Sequence, residues 1–258
     1  MSDRPALEVL APPTLAGTVV APDDDAALLD LFDDPAPNPA TGAHVRAVML
    51  SSLDGAATGP GHRSGELGDG ADRRVFAALR ALADVVLVGA GTVRAEGYED
   101  VQAPSHLRAY RADRGRAERV ELAVVTSSGA IADSVLDGGA LVVAAAGAPG
   151  LGALRERVGL DRLVLAEGQG PGRVDPAAAV RALAARGLTR VHAEGGPRLL
   201  AGLATAGAVD ELSVTLAARL IGGGATRILD SPVWIDSHLE LAHLLRSGST
   251  LLGRWLVA

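Results

Sequence analysis

The run Asp84-Val85-Val86-Leu87-Val88 restricts the fold more than any other stretch of the sequence. It is short, continuous and apolar, as a strand must be when both of its faces are covered. A parallel sheet sandwiched between helices supplies that environment. An amphipathic segment from Asp69 to Ala83 precedes it, with Val75, Leu79 and Leu82 recurring at helical spacing. The same alternation predicts strands over His44 to Leu50, Glu121 to Thr126, Ala140 to Ala145, Leu163 to Ala166 and Arg190 to Ala193. Helices are predicted over Asp175 to Arg186, opened by Asp175 as N-cap and Pro176, and over Pro197 to Ala206. Glu211 to Ala217, Leu239 to Leu245 and Thr250 to Val257 read as strands with no helices between them. The expected fold is therefore α/β: a mostly parallel twisted sheet flanked by helices, finished by antiparallel C-terminal strands.

That sheet is assigned to one domain, residues 43–258. Residues 1–42 hold seven prolines and the run Asp23-Asp24-Asp25, and read as an arm wrapping the domain, with one short helix from Asp23 to Phe32. Gly97 to Glu118 is rich in arginine and has no apolar period, and reads as a mobile loop.

Composition excludes several chemistries. The 258 residues are 48% apolar, enough for a core without disulfides or metals, and only 2% aromatic, so Ala, Leu and Val must fill it. There is no cysteine, hence no thiol nucleophile, Fe–S cluster or Cys-ligated zinc. There is no lysine either: all 24 basic residues are arginine, which rules out a P-loop lysine or a Schiff base but leaves bidentate phosphate binding open. A net charge of −7 argues against a nucleic-acid partner. The longest uncharged stretch, Gly138 to Leu154, is broken by Pro149 and glycines, and Met1 to Pro5 lacks an export signal. A cytoplasmic protein without a membrane partner is expected.

Two glycine-rich turns carry the functional reading. Val88-Gly89-Ala90-Gly91-Thr92-Val93-Arg94-Ala95-Glu96 follows the buried strand and opens a helix, where backbone N–H groups can meet phosphate. Arg94 stands where a Rossmann fingerprint needs its third glycine, and alone this turn is as readily structural. Glu194-Gly195-Gly196-Pro197-Arg198-Leu199-Leu200 repeats the arrangement, with a carboxylate at the strand's end. On its own it reads equally as a tight turn. Together the two point to a dinucleotide whose phosphates are shared between helix N-termini. A third segment, Ser51-Ser52-Leu53-Asp54-Gly55, ends the first strand in a common turn dipeptide. No G-x-S-x-G or H-E-x-x-H pattern occurs, His192 reads as a packed strand residue, and no metal site is expected.

These motifs, in this order, resemble the pyrimidine reductases of riboflavin biosynthesis, which share the dihydrofolate-reductase-like fold. The matching residues are Ser52-Leu53-Asp54-Gly55, Leu79-Arg80-Ala81 leading into Asp84 to Gly89, Gly91-Thr92-Val93, Glu194-Gly195-Gly196 and Val209-Asp210-Glu211-Leu212. The likeness covers about 43–257 and looks closest to stand-alone, actinobacterial-type members. It implies NADPH-dependent reduction of a ribosylamino-pyrimidine phosphate and a homodimer built around the C-terminal strands. It also implies cofactor contacts from Gly89, Gly91, Thr92, Glu96 and Ser128, with Gly195, Gly196, Pro197, Arg198, Leu199 and Leu200 around the phosphates. Ser64, Arg80 and Glu194 would face substrate, with Asp54 at the pocket's edge. No single catalytic residue is singled out.

Two departures from the family pattern bear on substrate. Val48 stands where a Lys or Asn is expected, and Gln102 lies nearest the place of a substrate-phosphate arginine, for which Arg108 or Arg111 are candidate substitutes. The companion deaminase is excluded from these residues because its Cys ligands are missing. A pterin- or dihydrofolate-type reductase, and a dinucleotide-binding protein that has lost its substrate chemistry, stand as alternatives.

Overall fold

A computed structural model of the chain describes residues 4–32, 36–98, 101–168, 170 and 172–258. Its sheet contains β1 (Leu7–Ala11), β2 (Val19–Val20), β3 (His44–Ser52), β4 (Val85–Gly89), β5 (Glu121–Val125) and β6 (Leu141–Ala144). It is completed by β7 (Leu163–Leu165), β8 (Arg190–Ala193), β9 (Glu211–Ala217), β10 (Leu239–Ser247) and β11 (Thr250–Val257). The strands lie in the order β2-β1-β10-β11-β9-β3-β8-β4-β5-β6-β7. From β9 to β7 every pairing is parallel; β11, β10, β1 and β2 continue the sheet antiparallel. The expected α/β class and the antiparallel finish are both present.

β4 shows why its sequence is apolar throughout. Val85 and Leu87 enter one core with Val180 and Leu183 of α7 (Pro176–Ala184) and Leu203 of α8 (Pro197–Thr205). Val86 and Val88 point the other way, into clusters with Val120 and with Val93 and Val124. All four are fully buried. On that second side α2 (Gly70–Leu82) buries Val75, Ala78, Leu79 and Leu82. Aspartates start these helices as the sequence implies: Asp69 accepts hydrogen bonds from the Ala71 and Asp72 amides, and Asp175 from Ala177.

The N-terminal segment is more regular than its proline content implies. Its short helix is present as α1 (Asp25–Leu31), capped by Asp24, but β1 and β2 went unread. β1 pairs with β10, so the apolar strands β10 and β11 are interior to the sheet and not a bare edge. Leu7, Val9, Leu28, Leu29 and Phe32 pack with α2 residues in one core, and Arg74 of α2 donates to the Pro5 and Ala21 carbonyls.

The arginine-rich stretch is likewise not a loop throughout. It contains α4 (Ser105–Asp113), whose buried residues are Leu107 and Arg111, one turn apart. A charged residue completing the buried stripe hides the helix from an apolar-period search. α3 (Ala90–Glu96) is where a helix is expected, whereas α5 (Asp133–Asp137) and α6 (Leu151–Val158) are not among the predicted helices. Between β9 and β10, residues 218–238 form an irregular excursion on which Leu220 and Trp234 are exposed. Among the described residues no helix is long and apolar enough to cross a membrane.

Candidate functional site

Two turns meet where the sheet reverses its order. β4 leads outward to β5, while β8 returns to lie between β3 and β4, so the carboxyl ends of β8 and β4 flank a topological switch point. The turns are stitched directly: the Gly89 amide donates to the Gly195 carbonyl at 3.0 Å, and the Glu194 amide to Leu87 at 3.0 Å. Gly195 takes φ +91°, the left-handed region open to glycine, and joins Gly196 through a cis peptide. A β-carbon on Gly196 would lie 2.6 Å from Thr92 Oγ1, so α3 and α8 start in contact there. Neither helix has a side-chain cap, leaving their first-turn N–H groups without a side-chain acceptor.

The cleft over this junction has a volume of about 1420 Å³. One end is built by Val48, Met49 and Leu50 of β3, by Phe76 and Arg80 of α2, and by a loop carrying Thr58, His62 and Ser64. The other end is built by Thr126, Ser127 and Ser128 after β5 and by Arg173 and Val174 after β7.

At the first end Glu194 is the central group. Arg80 Nε and Nη2 donate to its two oxygens at 2.6 and 2.7 Å, and the Tyr98 hydroxyl donates to Oε2 at 2.7 Å. The guanidinium lies over the Phe76 ring at 4.5 Å and over Tyr98 at 5.6 Å. Burial disfavours the Arg80 cation, but the hydrogen bonds and charge of Glu194 outweigh it and hold its pKa above the ordinary value. Burial, reinforced by Glu194, pushes the Tyr98 phenol well up, so it stays a hydrogen-bond donor. Behind them His192 is 2% exposed, and burial holds it down to about 4; it is a neutral packed residue of β8, not a general base at neutral pH.

Of the residues singled out from sequence, Ser64, Arg80, Glu194, Gly89, Gly91, Thr92, Glu96, Ser128, Gly195, Gly196, Pro197, Arg198 and Leu199 line this one cleft. Leu200 is buried in the body of α8. Asp54 does not line the cleft. It accepts hydrogen bonds from Ser52 Oγ and from the Ile221 and Gly222 amides, which hold its carboxyl down to about 2 and pin the 218–238 excursion. Glu96 accepts from the Ser64 amide at 2.7 Å, tying α3 to the loop over the cleft.

Gln102, nearest the place of the expected phosphate arginine, and its candidate substitutes Arg108 and Arg111 also fall elsewhere. Gln102 bonds both backbone groups of Val120, Arg108 reaches the Ala103 carbonyl, and Arg111, fully buried, donates to the carbonyls of Ala81, Ala83 and Ala117. Cleft residues that the sequence does not single out include Asp72, whose pKa burial raises, Tyr98 and Arg173. Asp72 carried a signal, since it falls on the same face of α2 as Phe76 and Arg80.

The family described as the RibD C-terminal domain matches residues 43–252. The chain belongs to that family. A pyrimidine reductase-like protein of Corynebacterium diphtheriae, 25% identical, superimposes with a TM-score of 0.73 over 86% of this chain and 95% of that one. RibD of Acinetobacter baumannii is 18% identical, with a TM-score of 0.66 over 84% of this chain and 59% of its own. The Saccharomyces cerevisiae riboflavin biosynthesis reductase Rib7 is 14% identical, with a TM-score of 0.60 over 89% and 95%. The last two establish the fold alone: a mostly parallel sheet flanked by helices, with antiparallel strands continuing it. No protein of curated function matches the sequence. Membership of the RibD C-terminal domain family points to a reductase role.

Proposed function

We propose that the chain is an NADPH-dependent reductase that transfers a hydride to a ribosylamino-pyrimidine phosphate or a related pyrimidine. The observation that carries the proposal is the joining of both glycine turns at one cleft. At about 1420 Å³ that cleft exceeds the ~300–1,000 Å³ of a single small-molecule pocket, leaving room for a dinucleotide and a second ligand side by side. The residues suit a dinucleotide: a β-carbon on Gly91 would meet nothing within 4 Å, so its absence keeps open the space in which phosphate approaches backbone N–H groups. The nicotinamide, when bound, supplies the hydride.

The chain's own contribution is positioning. Val48, Met49 and Leu50 give the substrate end a largely apolar floor, Phe76 adds a ring, and Glu194 offers a carboxylate fixed by Arg80 and Tyr98. Likeness to the Corynebacterium protein supports an actinobacterial-type, stand-alone member, residues 43–258 being the reductase domain. We place it in the cytoplasm as a homodimer, with Leu241 and Leu256 among its exposed apolar residues, an assembly light scattering reports.

One observation favours a second reading, a pterin-type reductase or a silent dinucleotide-binding protein. Arg80 is neutralised by Glu194, and Arg108 and Arg111 are bound to backbone carbonyls, so the expected receivers of a substrate phosphate are occupied. Among the described residues Arg73, on the cleft side of α2, is the arginine left at that end. Titration with NADPH and NADH by nicotinamide fluorescence, followed by turnover assays with the pyrimidine and with dihydrofolate, separates the readings. Binding with pyrimidine turnover is expected. Binding without turnover leaves the silent reading, and no binding removes the reductase.

A further inference from the structure

Five arginines line the cleft: Arg73, Arg80, Arg94, Arg173 and Arg198. Three have fixed partners. Arg80 holds Glu194, Arg94 donates to the Ala130 carbonyl at 3.2 Å, and Arg198 pairs with Asp230 at 3.2 Å. Arg173 is exposed, and its guanidinium has no hydrogen bond or ion pair to any described residue.

Its backbone, by contrast, is held in place. The Arg173 amide donates to Gly170 at 3.3 Å, its carbonyl accepts from the Gly168 amide at 2.8 Å, and the adjacent Val174 bridges to Glu167. The neighbouring loops brace it. Gly172 packs on Ala148 and Pro149, and Gly129 packs on the other side of that same loop, where an added β-carbon would lie 2.5 Å from the Pro149 carbonyl oxygen. The Ser127-Ser128 turn and Arg173 therefore form one rim over the carboxyl ends of β5, β6 and β7.

The charges of that rim are one-sided. Among the described residues the carboxylates lining the cleft are Asp72, Glu96, Glu194 and Asp230, and none of these comes from the loops after β5, β6 or β7. The nearest acids in sequence are engaged: Glu167 accepts from the Ala146 amide, and Asp175 caps α7 and faces Arg181.

We infer that Arg173, with the Ser128 hydroxyl across the rim, recognises a phosphate monoester on the adenosine ribose of the dinucleotide and so sets the preference for NADPH over NADH. The inference rests on the dinucleotide reading of the cleft. If the diphosphate lies at the joined turns after β4 and β8, the nicotinamide half must extend toward Glu194, where the second ligand has room. The adenosine half then runs over β5 toward β7, three strand spacings from β4, about 14 Å. That is where the free guanidinium and the hydroxyls stand. A planar guanidinium suits a phosphate monoester through paired N–H donors.

The test is a fluorescence titration of the whole chain with NADPH and NADH, with 2′,5′-adenosine diphosphate and 5′-adenosine diphosphate as competitors. The chain and its Arg173→Gln variant are compared, with Arg155→Gln on the outer face of α6 as a charge-matched control. Arg173→Gln is expected to weaken NADPH and 2′,5′-adenosine diphosphate roughly tenfold or more, the loss of one charged hydrogen-bonding group, and to leave NADH and 5′-adenosine diphosphate within about twofold. The control is expected to move none of them. Equal weakening of both dinucleotides, an unchanged NADPH affinity, or no preference in the unaltered chain overturns this assignment and leaves the reductase reading standing. Failure of the unaltered chain to bind either dinucleotide overturns both.

Discussion

Arg80 and Glu194, 114 residues apart, meet through two parallel hydrogen bonds of 2.6 and 2.7 Å, with the Tyr98 hydroxyl as a third donor to the carboxylate. The pair joins the C-terminal turn of α2 to the end of β8, so one contact fixes both the packing of a helix and the shape of the cleft.

Glu194→Gln is therefore expected to act on two observables. It leaves Arg80, with 17% of its side chain exposed, without its counter-charge, and breaking a buried pair of this kind costs about 3 kcal/mol. Urea denaturation should show that loss. Turnover should fall at least about a hundredfold while the NADPH dissociation constant stays within a few-fold, because the turn amides keep their places. Full activity in Glu194→Gln would remove Glu194 from the substrate end.

Stability should also depend on two buried histidines. Burial holds His192 and His243 down to about 4, against an ordinary value of 6.5. The folded state thus binds fewer protons than the unfolded state between those values. The stabilisation is complete above about pH 6.5 and is lost as the pH falls toward 4, by about 3 kcal/mol for each histidine. Urea midpoints measured from pH 7.5 to 4.5 should fall, and His192→Gln should flatten the slope. An unchanged slope in that variant would place the proton uptake elsewhere.

The legible parts of this molecule are those where a local pattern has one physical cause. β4 was readable because both of its faces are buried, and α7 because Asp175 and Pro176 announce its start. Bringing Glu194 and the glycine turns together needed only the rule that ligands gather at strand carboxyl ends. What escaped depended on distant partners. β1 is a strand because it pairs with β10, and α4 is hidden because Arg111 directs its charge to the backbone carbonyls of Ala81, Ala83 and Ala117, which lie 30, 28 and 6 residues away. Asp54 is placed at the pocket's edge only by the family resemblance, and its turn dipeptide carries no sign of the Ile221 and Gly222 amides that claim its carboxylate.

The contact between Gly196 and Thr92 allows a test of the junction itself. In Gly196→Ala the new β-carbon would start 2.6 Å from Thr92 Oγ1, inside contact distance, so α3 and α8 must part or the threonine must turn. Overpacking of this kind costs about 1–3 kcal/mol, and any parting of the helices moves the two sets of turn amides off a shared ligand. NADPH affinity should fall at least about tenfold. Thr92→Ala removes the obstructing oxygen, so the double variant Gly196→Ala/Thr92→Ala should bind NADPH more tightly than Gly196→Ala alone. The two changes would be coupled, as residues in direct contact are. Strictly additive losses would mean that the two turns do not act on the dinucleotide as one unit.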